Sequence, residues 1–210
     1  MFSKLQVYFT HEDKQVRDNR WIFVSMLIGA ILSLVAAFVL AVEAVELAKN
    51  PNAQLSCSVN VIINCATVGL HPSAALFGFP NSFLGLIAEP IVITVAIAGL
   101  AGVKFPRKFM IVAQLCYTLG FVFAYYLLYM SMFVIQALCP WCLLVTLSTT
   151  FVFFSMTRYN VREGNLYLSA GLAKQAKAFI KKDYDKLTLG IIVAAVIAGI
   201  ILKYGGDLFS

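Results

Sequence analysis

Residues 21–42 read WIFVSMLIGAILSLVAAFVLAV, an apolar run without a charged side chain. As a helix rising about 1.5 Å per residue, this run is long enough to cross roughly 30 Å of hydrocarbon. It exceeds the roughly 7–15 apolar residues of a signal-peptide core, and Glu43-Ala-Val-Glu46 after it does not read as a small-residue cleavage site. The run is therefore predicted to be a retained transmembrane helix.

Four more apolar runs follow, and the composition of the chain agrees with them. Of the 210 residues, 61% are hydrophobic and 12% are charged, whereas soluble domains have about 45–50% apolar and about 25% charged residues. The sequence predicts an all-α integral membrane protein with five transmembrane helices, four in a bundle and one accessory. The predicted spans are residues 21–42, 81–103, 109–135, 139–156 and 188–204.

The basic residues predict the orientation of these spans. Fourteen of the 16 Lys and Arg residues lie in residues 1–20, 104–108 and 158–187, all on one side of the membrane. Because cytoplasmic segments carry such an excess, we expect the N-terminus inside and residues 43–80 outside, where disulfides persist. The predicted division is a cytoplasmic N-terminus (1–20), a four-helix membrane domain (21–157) with outer loop 43–80, a basic cytoplasmic amphipathic segment (158–187), and a fifth helix with the C-terminus (188–210).

The basic segment contains a helical pattern. Leu172, Phe179 and Ile180 share one face, and lysines lie toward the other. This pattern is typical of a helix lying in the membrane surface beside anionic lipid. A solvated linker helix is the alternative.

Four of the five cysteines are expected on the outer side, as two pairs. Cys57 and Cys65 lie in the outer loop, and Cys139 and Cys142 begin the fourth span as Cys-Pro-Trp-Cys. A Cys-X-X-Cys pair at a helix start favours thiolate and suits thiol–disulfide exchange. Cys116 lies well inside the third span and is predicted to be a buried packing cysteine.

The outer cysteines have three possible roles: two structural disulfides, a four-cysteine metal site, or a redox relay between the pairs. The relay is favoured for two reasons. A Cys-X-X-Cys pair at a membrane edge is poorly suited to brace a fold as a structural disulfide. A zinc site normally draws on two short-spaced pairs, whereas Cys57 and Cys65 are eight residues apart. Electrons would enter at Cys139 through the loop pair and leave from Cys142, about 4–5 Å deeper in the membrane. No nucleotide-binding loop, flavin or haem motif is visible, so a lipid quinone is the natural acceptor and no metal is expected.

Three stretches together resemble the vitamin K epoxide reductase family: Cys57-x7-Cys65, residues 75–82 (ALFGFPNS) and residues 139–142 (CPWC). The likeness covers about residues 20–155 and is nearest to bacterial members that replace DsbB as disulfide-generating enzymes. It implies a quinone-dependent thiol–disulfide oxidoreductase with a four-helix catalytic bundle. Its expected partner is a DsbA-like thioredoxin-fold protein, separate because no thioredoxin-like domain is fused. Its expected electron acceptor is menaquinone or ubiquinone, and its expected location is the bacterial cytoplasmic (inner) membrane, with the active site on the outer face.

The resemblance also implies roles for the cysteines. Cys57 would exchange with the partner, Cys65 would pass electrons to Cys139, and Cys142 would attack the quinone or form an adduct with it. The sequence alone leaves open which sulfurs are bonded at a given moment.

The predicted quinone contacts and proton carriers lie outside the cysteine pairs. Asn81 matches a family residue that hydrogen-bonds the quinone carbonyl, and a cap for the second span is its alternative role. Glu89 inside the second span and His71 in the outer loop are candidates for a proton relay. The remaining predicted quinone contacts are Ser82, Phe77, Leu84 and Trp141.

Two positions depart from the family pattern. His71 stands where a serine is common, and Thr146 stands where the animal enzymes have a tyrosine. These departures weaken one alternative, reduction of vitamin K epoxide or quinone for a carboxylation cycle. An alternative of another class is a non-catalytic membrane protein whose outer cysteines bind a metal or brace the loop.

Overall fold

The fold is a bundle of membrane-length helices, and the computed structural model describes residues 14–208 of it. Within these residues there is no β-strand, and five helices are long and apolar enough to cross a membrane: α1, α3, α4 with its π-helical continuation, α5 and α7. The prediction of an all-α membrane protein with five spans is confirmed. The helices are α1 (Lys14–Lys49), α2 (Cys65–Leu70), α3 (Ser82–Leu100), α4 (Arg107–Tyr129), α5 (Pro140–Glu163), α6 (Ala170–Lys181) and α7 (Tyr184–Leu208), with a 3-10 helix at Pro72–Ala75 and a π-helix at Met130–Ile135.

Helix α1 is longer than the apolar run that predicted it, at both ends. Its 36 residues correspond to about 54 Å, well beyond the roughly 30 Å of hydrocarbon. Glu, Ala, Leu and Lys are strong helix formers, so the helix continues past the last apolar residue of the run. Glu43 and Glu46 are therefore on a helix and not in the outer loop. Residues 1–13 of the predicted N-terminal segment lie outside the described residues.

Helix α1 lies at the centre of the bundle and packs along both α3 and α5, while α4 packs against α5. Small residues permit this close approach: Ser33, Ala37 and Ala41 on α1 are all buried. A Cβ added at Gly29 would lie 2.8 Å from the Val152 side chain of α5. The polar and small positions of α1 thus face protein and not lipid.

The end of the bundle away from the cysteines is held by a network of charges. Arg158 on α5 contacts Asp18 of α1 at 3.0 Å, Asp183 at 3.0 Å and Asp185 of α7 at 2.8 Å. Its guanidinium is largely buried, so these carboxylates compensate a charge that would otherwise be costly to desolvate. The network ties together the start of α1, the end of α5 and the start of α7.

Helix α6 is the predicted amphipathic helix. Ile180 packs against the protein, whereas Leu172 and Phe179 on the same face are exposed. Lys174 and Lys177 are exposed as well, on the opposite face. The placement of α6 on an anionic membrane surface remains a prediction.

Helix α7 docks on the π-helix that precedes the Cys-Pro-Trp-Cys stretch. The buried Tyr204 hydroxyl donates a 2.7 Å hydrogen bond to the backbone oxygen of Met132. Lys203 Nζ lies 4.3 Å from the centroid of the Phe133 ring. A π-helical turn interrupts the regular pattern of backbone hydrogen bonds. Tyr204 supplies a donor to the Met132 carbonyl within that turn.

We expect Tyr204→Phe to lower the free energy of unfolding by about 1–3 kcal/mol, because the buried Met132 carbonyl loses its donor. Thermal unfolding in detergent measures the change, and Tyr167→Phe, at a tyrosine that is 63% exposed, is the control. Equal melting temperatures for the two variants would show that the hydrogen bond contributes nothing.

Candidate active site

The outer loop is tied to the segment before Cys139 by two backbone hydrogen bonds. Leu138 N–H donates to the Ile62 oxygen at 2.6 Å, and Asn64 N–H donates to the Leu138 oxygen at 3.0 Å. These bonds form an isolated parallel bridge between Ile63 and Leu138. Since Cys65 follows Asn64 and Cys139 follows Leu138, the bridge brings these two cysteines side by side.

Asparagine side chains fold the loop around this bridge. The Asn60 carboxamide oxygen accepts hydrogen bonds from the backbone N–H groups of Ile62 and Ile63. Asn64 caps α2, and its side-chain oxygen accepts from Thr67 N–H at 3.0 Å. Asparagine is favoured at both turns and helix caps for this reason.

The four predicted cysteines meet at this point. Cys57 and Cys65 form a disulfide, while Cys139 and Cys142 are free thiols. Cys65 Sγ lies 3.2 Å from Cys139 Sγ. The loop pair is therefore oxidised and the Cys-X-X-Cys pair reduced, which resolves for this state the pairing that the sequence left open.

Cys139 is placed to act as a thiolate. It is the N-cap of α5, and its sulfur accepts a hydrogen bond from Cys142 N–H at 3.4 Å. The pKa of Cys139 is lowered mainly by a hydrogen bond from the Cys142 thiol, and backbone N–H groups at the helix start add to this effect. The loop covers Cys139, which is 1% exposed, so its sulfur faces Cys65 and not water.

Cys57, Cys65 and Cys139 have their sulfur atoms within 4.8 Å of one another. Such a cluster also suits a soft metal, whose site would normally need thiolates as ligands. Here two of the three sulfurs are joined to each other, and only one thiol of the three remains. The arrangement fits disulfide exchange, in which an attacking sulfur must reach one member of a bonded pair.

A cavity of about 620 Å³ extends from the cysteines into the bundle. It is large enough for the head group of a lipid-soluble ligand, since ligand sites typically measure about 300–1,000 Å³. Most of its lining is apolar, with a few polar side chains. Among the residues predicted from sequence, it is lined by Cys65, Cys139, Cys142, His71, Asn81, Ser82, Leu84 and Glu89.

Asn81 and Ser82 stand at the start of α3, beside the cavity. The Asn81 amide nitrogen donates to the Ser73 oxygen at 2.6 Å, and its oxygen accepts from Leu76 N–H at 3.2 Å. Asn81 makes no side-chain cap to α3, so the helix-cap alternative is wrong. Among the described residues, the buried Ser82 hydroxyl has no hydrogen-bond partner.

Phe77 and Trp141 do not line this cavity. Phe77 is 55% exposed and its ring lies 5.5 Å from that of Phe123, a cavity-lining residue of α4. Trp141 packs against the cysteine cluster. Both are near the site without contacting its interior, and their role as quinone contacts stays a prediction.

Glu89 and His71, the candidates for a proton relay, lie in different parts of the cavity wall. Glu89 is buried, and its Oε1 accepts hydrogen bonds from Ser33 Oγ at 2.8 Å and Tyr117 Oη at 3.3 Å. Its Oε2 has no hydrogen-bond partner within residues 14–208. His71 Nδ1 lies 2.8 Å from Ser73 Oγ and caps the 3-10 helix.

Cys116 is an exposed residue of α4 and borders the cavity. The prediction that it is buried in the packing is wrong. Successive residues on a helix are rotated by about 100°, and the buried face of α4 is taken by Gln114 and Tyr117. The position of a residue along a transmembrane span does not show whether its side chain faces lipid or protein.

Glu43 is a site residue that the sequence reasoning missed. Its Oε1 lies 3.2 Å from Cys57 Sγ, and it is 8% exposed. The available signal was a carboxylate immediately after an apolar span, in a stretch of helix-forming residues. Reading that stretch as loop concealed its position on α1.

Comparison with known proteins decides the family. The model of the vitamin K epoxide reductase family matches residues 24–157. The chain belongs to the vitamin K epoxide reductase family. The match spans most of α1 through most of α5 and includes all four site cysteines, while a search of curated proteins finds no match. Membership makes this chain a membrane oxidoreductase with cysteine redox centres, and helices α6 and α7 lie beyond the matched part.

The distance between Cys65 and Cys139 predicts a disulfide that can be trapped. In a Cys57→Ala, Cys142→Ala double variant, we expect mild oxidation to join Cys65 to Cys139, because the two sulfurs are held in contact. Maleimide mass-shift and peptide mapping by mass spectrometry measure the product.

The matched control is Cys57→Ala, Cys139→Ala, which leaves Cys65 with Cys142. It should cross-link at least about tenfold more slowly, since Cys65 is held against Cys139 and not against Cys142. Equal rates in the two variants would contradict the geometry.

Proposed function

We propose that this protein is a membrane thiol:quinone oxidoreductase that generates disulfides for exported proteins. The observation that carries the proposal is the 3.2 Å contact between Cys65 Sγ and Cys139 Sγ, which joins the loop disulfide to the Cys-X-X-Cys pair. A sulfur in contact with a second pair can transfer its disulfide by direct displacement.

The relay begins at the outer loop. A thiolate of the partner attacks Cys57, forming a mixed disulfide and releasing Cys65 as a thiolate. Cys65 attacks Cys139 in the Cys139–Cys142 disulfide and releases Cys142 as a thiolate. The second thiol of the partner then attacks its own sulfur in the mixed disulfide, so the partner leaves oxidised and Cys57 is freed.

The relay ends at the quinone. Cys57 attacks Cys65 in the Cys65–Cys139 bond, so the loop disulfide re-forms and Cys139 is released. Cys139 and Cys142 then give two electrons and two protons to the quinone, producing a hydroquinone and the Cys139–Cys142 disulfide. The described arrangement, with the loop pair bonded and Cys139 and Cys142 free, corresponds to the state just before that last step.

The cavity supplies the groups that would hold the quinone. Asn81 keeps one amide hydrogen beyond the one given to Ser73, and the Ser82 hydroxyl is buried without a partner. Either can donate to a carbonyl oxygen that gains charge on reduction. Leu84 contributes apolar wall, while Phe77 and Trp141 would cover the site at its edge.

Proton supply is assigned to Glu89 and His71. Glu89 has one carboxyl oxygen without a hydrogen-bond partner among the described residues. Leaving a buried polar atom unpartnered costs free energy, and a carboxyl group inside a membrane span is a candidate for a functional role. His71 borders the same cavity from the outer loop. Glu89 would exchange protons deep in the cavity and His71 nearer the outer surface.

A simple quinone is favoured over vitamin K epoxide as the acceptor. Thr146 stands where the animal enzymes have a tyrosine, and its hydroxyl donates to the Cys142 backbone oxygen at 2.9 Å. That donor is therefore engaged with its own helix. Menaquinone or ubiquinone is the proposed substrate class.

The cysteines support the proposed partner, and the charge pattern supports the proposed location. Of the two cysteines in the loop disulfide, Cys57 is the more exposed, at 8% against 3% for Cys65, which supports Cys57 as the point that a DsbA-like thioredoxin-fold protein attacks. The excess of basic residues in segments 1–20, 104–108 and 158–187 supports a cytoplasmic N-terminus and an outward active site in a bacterial inner membrane.

Mixing the purified protein with a reduced thioredoxin-fold donor and a quinone should bleach the quinone absorbance. Cys142→Ser should slow this by at least about 100-fold, because the sulfur that faces the quinone is lost. Cys65→Ala should block the protein donor yet spare a small thiol, which can reach Cys139 through the space that the Cys65 sulfur leaves. Thr94→Ala, at an exposed residue outside the cavity wall, is the control. An unchanged rate in Cys142→Ser would refute the proposed function.

The unpartnered Ser82 hydroxyl gives a second prediction. Ser82→Ala should lower the rate of quinone reduction by about tenfold or more, because a donor to the reduced oxygen is removed. It should leave the melting temperature unchanged or higher, since no hydrogen bond within the protein is lost. Thr94→Ala, on the exposed face of α3 and outside the cavity wall, is the control for the rate. A normal rate with Ser82→Ala would exclude this donor.

A further inference from the structure

Glu43 places a carboxyl group against the first sulfur of the relay. Its Oε1 and Oε2 lie 3.2 and 3.6 Å from Cys57 Sγ. Glu46, one turn further along α1, is exposed. Glu43 is buried against a sulfur, whereas Glu46 is exposed. Because Glu is seldom buried without a partner, Glu43 is not an ordinary surface residue.

The contact between Glu43 and Cys57 becomes a hydrogen bond only when the Cys57–Cys65 disulfide is reduced. A disulfide sulfur carries no hydrogen, so Cys57 donates nothing to Glu43 while it is bonded to Cys65. Once Cys57 is free, its thiol and the carboxyl are within hydrogen-bond reach, and a proton can pass between them. The carboxyl is therefore positioned for the reduced loop pair.

The other relay sulfurs have different surroundings. Cys139 receives hydrogen bonds from Cys142 and from the start of α5, which stabilise a thiolate without a base. Within residues 14–208 no hydrogen-bond donor reaches the Cys57 sulfur, whose polar contacts beyond the disulfide are the two oxygens of Glu43. Among the described charged and titratable groups, those near this pair are Glu46 on α1, and Cys139 and Cys142 at the start of α5.

We propose that Glu43 is a catalytic acid–base residue that carries the proton of Cys57 during disulfide exchange. The proposal rests on the thiol relay proposed above. When the partner leaves, Cys57 is released as a thiolate and Glu43 donates a proton to it. When Cys57 attacks Cys65 in the Cys65–Cys139 bond, Glu43 takes that proton back.

The proton and the bonds balance over the cycle. In the second step the Cys57–Cys65 bond forms, the Cys65–Cys139 bond breaks, and the electron pair leaves on Cys139. The carboxyl is restored to its protonated form, ready for the next partner. No reductant or oxidant beyond the partner thiols and the quinone is required.

A pre-reduced enzyme separates this step from the rest of the relay. With all four site cysteines reduced and no partner present, the protein can reduce two quinones in sequence. The first takes electrons held by Cys139 and Cys142. The second requires Cys57 and Cys65 to pass their electrons inward, with Cys57 attacking as a thiolate. Stopped-flow absorbance of the quinone resolves the two phases.

We expect Glu43→Gln to slow the second phase by about 100-fold, the low end of the usual contribution of general acid–base catalysis. The first phase should change by less than about threefold. The second phase of the variant should accelerate by about tenfold per pH unit, because hydroxide replaces the lost base, while the wild-type phase depends less steeply on pH. Glu46→Gln, one turn away and exposed, should leave both phases unchanged.

The outcomes are distinct. If the wild-type protein reduces no quinone in either phase, the proposed function fails and not this step alone. If both phases are normal in Glu43→Gln, or the second phase has the wild-type dependence on pH, the role of Glu43 is wrong. Should Glu43→Gln not fold, Glu43→Asp carries the test: its carboxyl is one methylene further from the sulfur and should slow only the second phase, by about tenfold.

Discussion

The active site depends on the two backbone hydrogen bonds that Leu138 makes with Ile62 and Asn64. The loop between α1 and α3 is long, and a chain of that length has many ways to place two cysteines. The bridge removes this freedom at one point, next to Cys65 and next to Cys139. The contact between the Cys65 and Cys139 sulfurs requires this register. The redox chemistry is thus positioned by main-chain atoms, which tolerate substitutions of the flanking side chains.

Much of the fold was readable from sequence because the spans are long apolar runs, and the family was readable because its cysteine pairs and the ALFGFPNS stretch occur together. Details that depend on tertiary packing could not be predicted from the sequence. Cys116 was misplaced because an apolar span does not show which face meets protein. The end of α1 was misread because hydropathy marks the membrane and not the helix, and this concealed Glu43. The Cys57–Cys65 bond was one of several states that the same residues can adopt, so no pattern could select it.

Helix α7 lies outside the part of the chain that matches the family, yet it contacts the turn that leads to the active cysteines. Leu138, Met132 and Leu128 pack with Tyr204 in one buried cluster. At the opposite end, Arg158 links α7 to α1 and α5 through carboxylates. The accessory helix is therefore fixed at both ends of the bundle. It supports the geometry of a site to which it contributes no reacting group.

Helix α1 also sets a distance within the site. Ser33 contacts Glu89 and Glu43 contacts Cys57, and ten residues of one continuous helix correspond to about 15 Å. Glu43 is part of α1 and Glu89 is held against it by Ser33, so the two carboxyl groups lie at different depths along this helix. Glu89 therefore lies deeper in the bundle than Cys57, although both Glu89 and Glu43 border the same cavity. The proposed proton carrier and the proposed point of electron entry are thus separated by a fixed length of one helix.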